Sequence, residues 1–349
     1  MTASFGGPSG IGTVLAECLT AAIAAPSVHN TQPWRFHLHD DAIDVYADRG
    51  RRLEVADPDG RELIISVGAA LLNLRVALLA HGRQAMYALY PDAERRDLCA
   101  RVTVGNRIPP SYAARRLAGA IPRRHSNRRP FRSSDLPDVV LNELCDAARA
   151  EGCQLVVADP GLRDAVLSVA RTAQSRRRDD ADYMIELAAW TGAGLGRRDG
   201  VAPVAYAPPD PDERIPLRDF GLAHPARDAW PAVFEDDPVI AVVYSAADSP
   251  YAWLRAGQAL ERVLLTATAN GVQSTLMTQP LEYTGLRALF DDTAEGRVAQ
   301  AILRLGYGPS APSSSRRLLT EFLMSGPDPV VGRGADPDRP DVGAGGPAE

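Results

Sequence analysis

Residues 13–25 have helical periodicity and end at Pro26, where the missing N–H and the restricted preceding residue stop a helix. The period then changes to two. Trp34, Phe36 and Leu38 alternate with Arg35, His37 and His39, and after Asp40-Asp41 come Ile43, Val45 and Ala47, which predicts a β-hairpin. Asp57-Pro58-Asp59-Gly60 is a turn able to cap a long helix from Arg61 to about His81, closed by Gly82. Strands are predicted at Met86–Tyr90 and Ala100–Val104. Residues 106–134, rich in Arg, Pro and Ser and poor in periodicity, read as a connection with local function and not as an element. A helix from about Pro137 to Ala150, a strand over Gln154–Ala158 and a helix from about Leu162 into the Gln174 region follow. Beyond a long segment with little core pattern, 175–235, lies a buried strand, Val239–Tyr244. A segment of that length inside a chain of short connections predicts a lid or a binding loop. Residues 325–349 hold six Gly, five Pro and four Asp with almost no apolar side chains, which predicts a disordered tail.

The pattern repeats. Ile65 to Gly82 lies over Leu254 to Gly271 without a gap, pairing Gly68 with Gly257, Ala70-Leu71 with Ala259-Leu260 and Gly82 with Gly271. Each stretch is followed by a strand, a proline with an acidic neighbour, and a strand closing on Gly105 or Gly306. The chain therefore reads as a duplication: a first copy over 13–110 and a second over 121–324 that carries the 175–235 insertion. Two glycines on facing helices let backbones approach, so the copies are expected to pack helix on helix, as the subunits of a symmetric dimer do.

Composition narrows the chemistry. With 349 residues, 45% hydrophobic and 23% charged, the chain is of ordinary globular type. Its 44 acidic residues exceed its 38 basic ones, for a net charge of −6, which leaves no basic surplus for a nucleic-acid backbone. Every basic residue is arginine; without a lysine, neither Schiff-base nor P-loop chemistry is available. Cys18, Cys99, Cys145 and Cys153 form no CxxC pair and read as buried hydrophobes of a reducing compartment. His29, His37, His39, His81, His125 and His224 show no ligand spacing with carboxylates or thiols, so no metal is expected. No signal peptide is visible, and Leu63–Ala80, interrupted by Asn73 and Arg75, reads as a buried helix and not as a membrane span, so a cytoplasmic location is expected. Gly6 to Gly12 looks like a dinucleotide fingerprint but lacks the strand that fingerprint must follow. Trp190, Trp230 and Trp253 read as core or lid packing.

Three stretches carry candidate chemistry. Ala25 to Trp34 (APSVHNTQPW) is a polar loop pinned between two prolines, able to present backbone N–H groups, hydroxyls and amides in a fixed cluster. In Arg123 to Phe131 (RRHSNRRPF), alternate residues Arg124, Ser126 and Arg128 point one way if the segment is extended, offering guanidiniums and a hydroxyl to an anion. Ser313 to Arg317 (SSSRR) is a second anion-friendly cluster.

Together, APSxHNTQPW, RHSNR, the two G-x-A-L helices and the terminal Arg-Arg resemble the FMN-dependent nitroreductase family, in its fused-dimer (Acg-like) branch, over about residues 13–324. The resemblance implies an α+β fold of antiparallel or mixed sheets sandwiched by helices, and one flavin site per chain: the first copy supplies the loop and the second the arginines. By that resemblance Arg124, Ser126, Arg316 and Arg317 serve the FMN phosphate, and Gln32 and Ser315 belong to the cofactor-binding set. Pro26, Ser27, Val28 and Asn30 border the ribityl chain and ring, Arg128 lies near flavin N1 and O2, and the backbone at Glu282 faces N5. Tyr283 stands after Glu282 where family members often have Gly. The resemblance further implies NAD(P)H as donor, a nitro- or quinone-like small molecule as acceptor, no protein nucleophile or acid–base pair, and function as a monomer with a weaker homodimer as an option. Two readings stay open: a two-electron reductase, or a protein that sequesters FMN beneath a closed lid.

Overall fold

The computed structural model describes residues 12–192, 197–224 and 230–324. The expected tail and residues 6–11 of the Gly6–Gly12 stretch lie outside them.

The first copy runs α1 (Thr13–Ile23), β1 (Trp34–Leu38), β2 (Ala42–Ala47), α2 (Arg61–Ala80), β3 (Arg83–Leu89) and β4 (Leu98–Arg107). After α3 (Tyr112–Ala118) the second runs α4 (Asp138–Ala150), β5 (Gln154–Val157), α5 (Pro160–Arg178), α6 (Ala181–Trp190), β6 (Val239–Ser245), α7 (Pro250–Ala269), β7 (Gln273–Leu276) and β8 (Val298–Gly306). Two antiparallel four-stranded sheets result, with the same order: β1-β2-β4-β3 and β5-β6-β8-β7. Even the irregularity is shared, since the ladder slips between Val45 and Tyr46 in one and between Val243 and Tyr244 in the other. A bulge at matching positions is a designed feature of a strand pair, so its recurrence marks two versions of one unit.

The copies meet through α2 and α7. A Cβ added at Gly68 would run into the Leu254 carbonyl and stand 3.0 Å from the Gly257 Cα, and one at Gly257 would run into the Ile65 carbonyl. Glycine is required at both because the helix backbones touch there. The aligned residues Ile65 and Leu254 are exchanged across this crossing: Ile65 packs in the second copy's core and Leu254 in the first's. α2 is long and apolar enough to cross a membrane, yet nearly all of it is buried inside the protein. The Asp57 carboxylate accepts from Glu62 N (3.0 Å) and Leu63 N (2.8 Å), capping the first turn of α2 as the turn sequence predicts.

Four expectations change. The 106–134 connection contains α3, whose Ser111 N-cap accepts from Ala114 N at 3.1 Å; the helix is too short to show periodicity. The insertion begins earlier than 175, because α5 and α6 both lie between β5 and β6, where the first copy has only residues 39–41. Trp230 is 86% exposed and so not the packing residue expected, whereas Trp190 packs against the Tyr183–Leu187–Phe220 cluster with Arg51 and Arg197 each 5.3 Å from its ring. His37, His39 and Asp44 converge within 4.8 Å, although no sequence spacing joins them, because the β1–β2 register sets His37 opposite Asp44.

Candidate functional site

After β8 the chain crosses back to the first copy. Phe36 N donates to Phe322 O and Met324 N to Phe36 O, both at 2.8 Å, so residues 322–324 add a short parallel rung beside β1. The strap leading there carries the SSSRR cluster to the proline-flanked loop. At this junction lies a cleft with about 1000 Å³ of empty space, its open mouth included.

The loop is one wall, and its backbone is strained. His29, Asn30 and Gln32 have φ of 44°, 54° and 52°, left-handed values that cost non-glycine residues about 1–3 kcal/mol each where no neighbour enforces them. Neighbours do so here. Gln32 N donates to Ser27 Oγ (3.0 Å), Val28 N to Ser66 Oγ on α2 (3.2 Å), and Arg317 N to Gln32 Oε1 (2.9 Å). The insertion holds the loop from outside, with Asn30 Nδ2 donating to Gly200 O and Gln32 Nε2 to Arg198 O, both at 3.0 Å.

The facing wall is the 124–128 segment, laid against β7. Asn127 N donates to Ser274 O (2.8 Å) and its buried amide to Pro309 O (2.6 Å), which fixes an extended backbone. Arg124, Ser126 and Arg128 consequently line the cleft, as their alternation predicts, and His125 lines it too. The floor is apolar: Ile65 and Ala69 from α2, Leu260 from α7, Leu276 and Ala301 from the second sheet.

Eight of the twelve residues singled out in the sequence line a single cleft: Pro26, Ser27, Val28, Asn30, Arg124, Ser126, Arg128 and Arg316. Four do not. Gln32 braces the loop, and Ser315 is exposed and offers its carbonyl to Asn30 Nδ2 (3.2 Å). Arg317 turns to Glu321 (3.2 Å) and lies over the Phe322 ring (4.7 Å). Glu282 is buried in ion pairs with Arg218 and Arg177 of the insertion. Arg316 differs from expectation in its contacts. It caps the C-terminus of α1, donating to the carbonyls of Ile23 (2.9 Å), Ala24 (3.0 Å) and Ala25 (2.9 Å) and to Asn30 Oδ1 (3.1 Å). Those bonds spend nearly all its donors, so it contributes charge to the cleft more than free N–H groups.

Both ends of the cleft are basic. At one end burial, with Arg124 beside it, pushes Arg316 down to about 9, and burial with Arg124 and Arg316 pushes His125 down to about 4. Arg124 Nε lies 3.4 Å from the buried Glu261 of α7, whose carboxyl burial pushes up to about 7. At the other end burial and Arg218 push Arg128 down to about 10. Arg128 donates to Ala205 O (3.0 Å) and lies over the Phe220 ring (4.7 Å). His29, edge-on to Phe220 at 5.3 Å, is held neutral by burial, then by Arg218, Arg128 and Arg177. Buried polar atoms around the cleft are left without a hydrogen-bond partner among the described residues: both ring nitrogens of His29, Arg124 Nε and His125 Nδ1. Unmet buried donors beside surplus positive charge suit an anionic ligand.

Sequence reasoning missed Glu62, Ser66, Arg218, Phe220, Thr278 and Gln300, which also line the cleft. Arg218 and Phe220 sit in the pattern-poor insertion. Glu62 and Ser66 were legible in principle, as polar residues interrupting an otherwise apolar helix face. At the second copy's equivalent of the loop, the short turn after α4 is filled instead: Glu151 is buried and pairs with Arg75 (2.7 Å) and Arg262 (2.6 Å).

The nitroreductase family model matches residues 121–307. A relative from Mycobacterium tuberculosis H37Rv, named "Putative NAD(P)H nitroreductase Rv3131", is 35% identical over 87% of this chain and 89% of its own length. A second from the same organism, "Putative NAD(P)H nitroreductase acg", is 27% identical over 89% and 95%. A solved nitroreductase with bound FMN from Desulfitobacterium hafniense aligns at 14% identity and a TM-score of 0.37, over 61% of this chain and 98% of its own. By the extent of the family match and the 35% identity sustained over most of its length, the chain belongs to the nitroreductase family.

Proposed function

We propose that this chain is an oxidoreductase that binds one FMN in the cleft, takes two electrons from NADH or NADPH, and passes them to a nitro- or quinone-like small molecule. We place it in the cytoplasm, working as a monomer whose two copies, 13–110 and 121–324, play the parts of two subunits. The observation that supports this most is the charge layout: two basic ends separated by an apolar floor, with unpartnered buried polar atoms beside both. FMN has matching features, a phosphate dianion and a ring that carries negative charge at N1 and O2 when reduced, and so the residues present fit it.

When bound, FMN supplies the hydride chemistry at its ring. The chain supplies the rest. Arg124 and Ser126 offer donors to the phosphate, and Arg316, locked on the end of α1, adds fixed positive charge. Arg128 opposes charge that develops on reduction, and a fixed cation there favours the reduced state. Ile65, Ala69 and Leu260 keep water from the ring's surroundings. Gln32, Ser315, Arg317 and Glu282 act on the binding residues through the loop, the strap and Arg218.

The second reading, a protein that holds FMN without turnover, draws on the insertion. Gly200, Val201, Arg218 and Phe220 form one side of the cleft, and Asn30–Gly200, Gln32–Arg198 and the Arg51–Asp199 ion pair fasten them to the loop. Anaerobic titration of the yellow protein separates the two. A reductase bleaches on adding NADPH or NADH; a flavin store bleaches with dithionite alone. A purified protein that is colourless and takes up no added FMN removes both.

A further inference from the structure

We propose a divalent transition-metal site on the β1–β2 hairpin, formed by His37, His39 and Asp44 and suited to Zn²⁺, Ni²⁺ or Co²⁺. None of the three lines the cleft, and the site does not depend on the flavin reading. His37 lies on β1 and His39 just past its end, where His39 N still donates to Ala42 O (2.8 Å), so the two rings leave the same face of the hairpin. The antiparallel register then sets Asp44 of β2 directly opposite His37.

The ligand atoms all lie within 4.8 Å of one another, and the two spacings at His39 are those of ligands around one ion. His37 Nδ1 lies 3.3 Å from His39 Nε2, and His39 Nε2 lies 3.0 Å from Asp44 Oδ2. A tetrahedral ion with Zn–N and Zn–O bonds of about 2.0–2.1 Å holds its ligand atoms roughly 3.3 Å apart. His39 Nε2 faces both a ring nitrogen and a carboxylate oxygen, and it can carry only one proton between them. A cation there would be held by all three lone pairs. Two imidazoles and one carboxylate are a borderline donor set, which selects such ions over Mg²⁺ or Ca²⁺.

Arg101 is the supporting residue. It clamps Asp44 through both oxygens, at 2.6 and 2.7 Å, from the next strand, where the register pairs Asp44 with Arg101. The guanidinium orients the carboxylate as outer partners of metal ligands do, and it also offsets its charge, so the site binds less tightly than an unclamped carboxylate would. Asp44 is wholly buried and His37 nearly so, while the His39 side chain is 29% exposed. The ion therefore enters beside His39, where a fourth ligand, water or a small anion, can complete the sphere.

The experiment uses the untagged full chain, stripped with chelator, titrated with Zn²⁺ by calorimetry and with Co²⁺ by its visible absorption. One ion per chain is expected, with a Co²⁺ spectrum typical of four-coordination. His39→Ala, at the exposed member, should weaken Zn²⁺ binding tenfold or more while leaving the circular dichroism and the flavin content of the protein unchanged. Asp44→Asn should act the same way if it folds; His39→Ala decides the matter if it does not. Absence of saturable binding at one ion per chain, or a His39→Ala affinity equal to wild type, overturns the site.

Discussion

At the scale of single residues the cleft is built by forcing arginines and histidines into places that disfavour their charge. Arg124 and Glu261 show what keeps this tolerable: both are buried, they approach to 3.4 Å, and neither Glu261 oxygen has a hydrogen bond among the described residues. Removing one member of such a pair strands the other. Arg124→Met should cost about 3 kcal/mol at pH 8 by denaturant titration. The loss should shrink below pH 7, where the Glu261 carboxyl, pushed up to about 7, takes a proton and ceases to be a stranded charge. His125 gives a second prediction, with the sign set by a lowered folded value, about 4 against about 6.5 unfolded. Above pH 6.5 the ring is neutral in both states and contributes nothing pH-dependent. Between 6.5 and 4 only the unfolded chain gains the proton, so stability falls with falling pH. His125→Asn should lack that component; if wild type and variant keep a constant stability difference from pH 7 to 5, His125 is not held neutral. Arg128→Ala should lower the potential of bound flavin, measured by equilibration with a reference dye; loss of flavin affinity with the potential unchanged would reassign that residue to anchoring.

At the scale of elements, the crossing of α2 and α7 sets the cleft's width, because Ile65, Ala69 and Leu260 are at once helix-packing and floor residues. Gly68→Ala must push the helices apart or twist them, since its Cβ would meet the backbone of α7 and not a flexible side-chain end. A loss of about 3 kcal/mol is expected, the upper part of the usual range for overpacking, together with weaker FMN uptake. The glycine pair, the β1–β2 hairpin, the strands β3 and β4, the long helices and the proline-flanked loop were legible in the sequence because each has a local signature: a period, a turn tetrapeptide, or a breaker. The alternation of Arg124, Ser126 and Arg128 was legible for the same reason. What was not legible is what depends on distant partners. Nothing local tells that Arg316 ends on the carbonyls of α1, that Glu282 is spent on Arg218, or that His37 and Asp44 meet across a hairpin register. α3 escaped because one N-cap serine and two turns are too little pattern, and α6 because its apolar face packs within the insertion itself, whereas α5 was predicted but ends four residues later than expected.

At the scale of the whole molecule the two copies have diverged in a complementary way. The first keeps a ten-residue loop between α1 and β1, whereas the second has a short turn filled by Glu151, Arg75 and Arg262. The second keeps its arginine segment and strap, and it alone carries the insertion. A pseudo-symmetric fold with asymmetric loops predicts one flavin per 37.4 kDa chain, where a symmetric dimer of the same size would bind two; absorbance against protein mass measures the ratio directly. The insertion decides what that flavin can do. Its grip on the cleft's walls passes through residues 198–205: on the loop side the carbonyls of Arg198 and Gly200 and the Asp199 carboxylate on Arg51, which itself donates to Thr31 O, and on the facing wall the Ala205 carbonyl on Arg128. Asp199→Asn weakens one of these without touching a cleft-lining side chain. If the insertion acts as a lid, opening must break that ion pair, and since the pair is partly buried its loss should make opening easier by a kcal/mol or so. The expected outcome is NADPH-driven bleaching about fivefold faster in Asp199→Asn, with the dithionite-reduced spectrum and the flavin content unchanged. Equal rates would mean that the insertion is a fixed wall of the cleft, and that access to the ring is set by the loop and Phe220 alone.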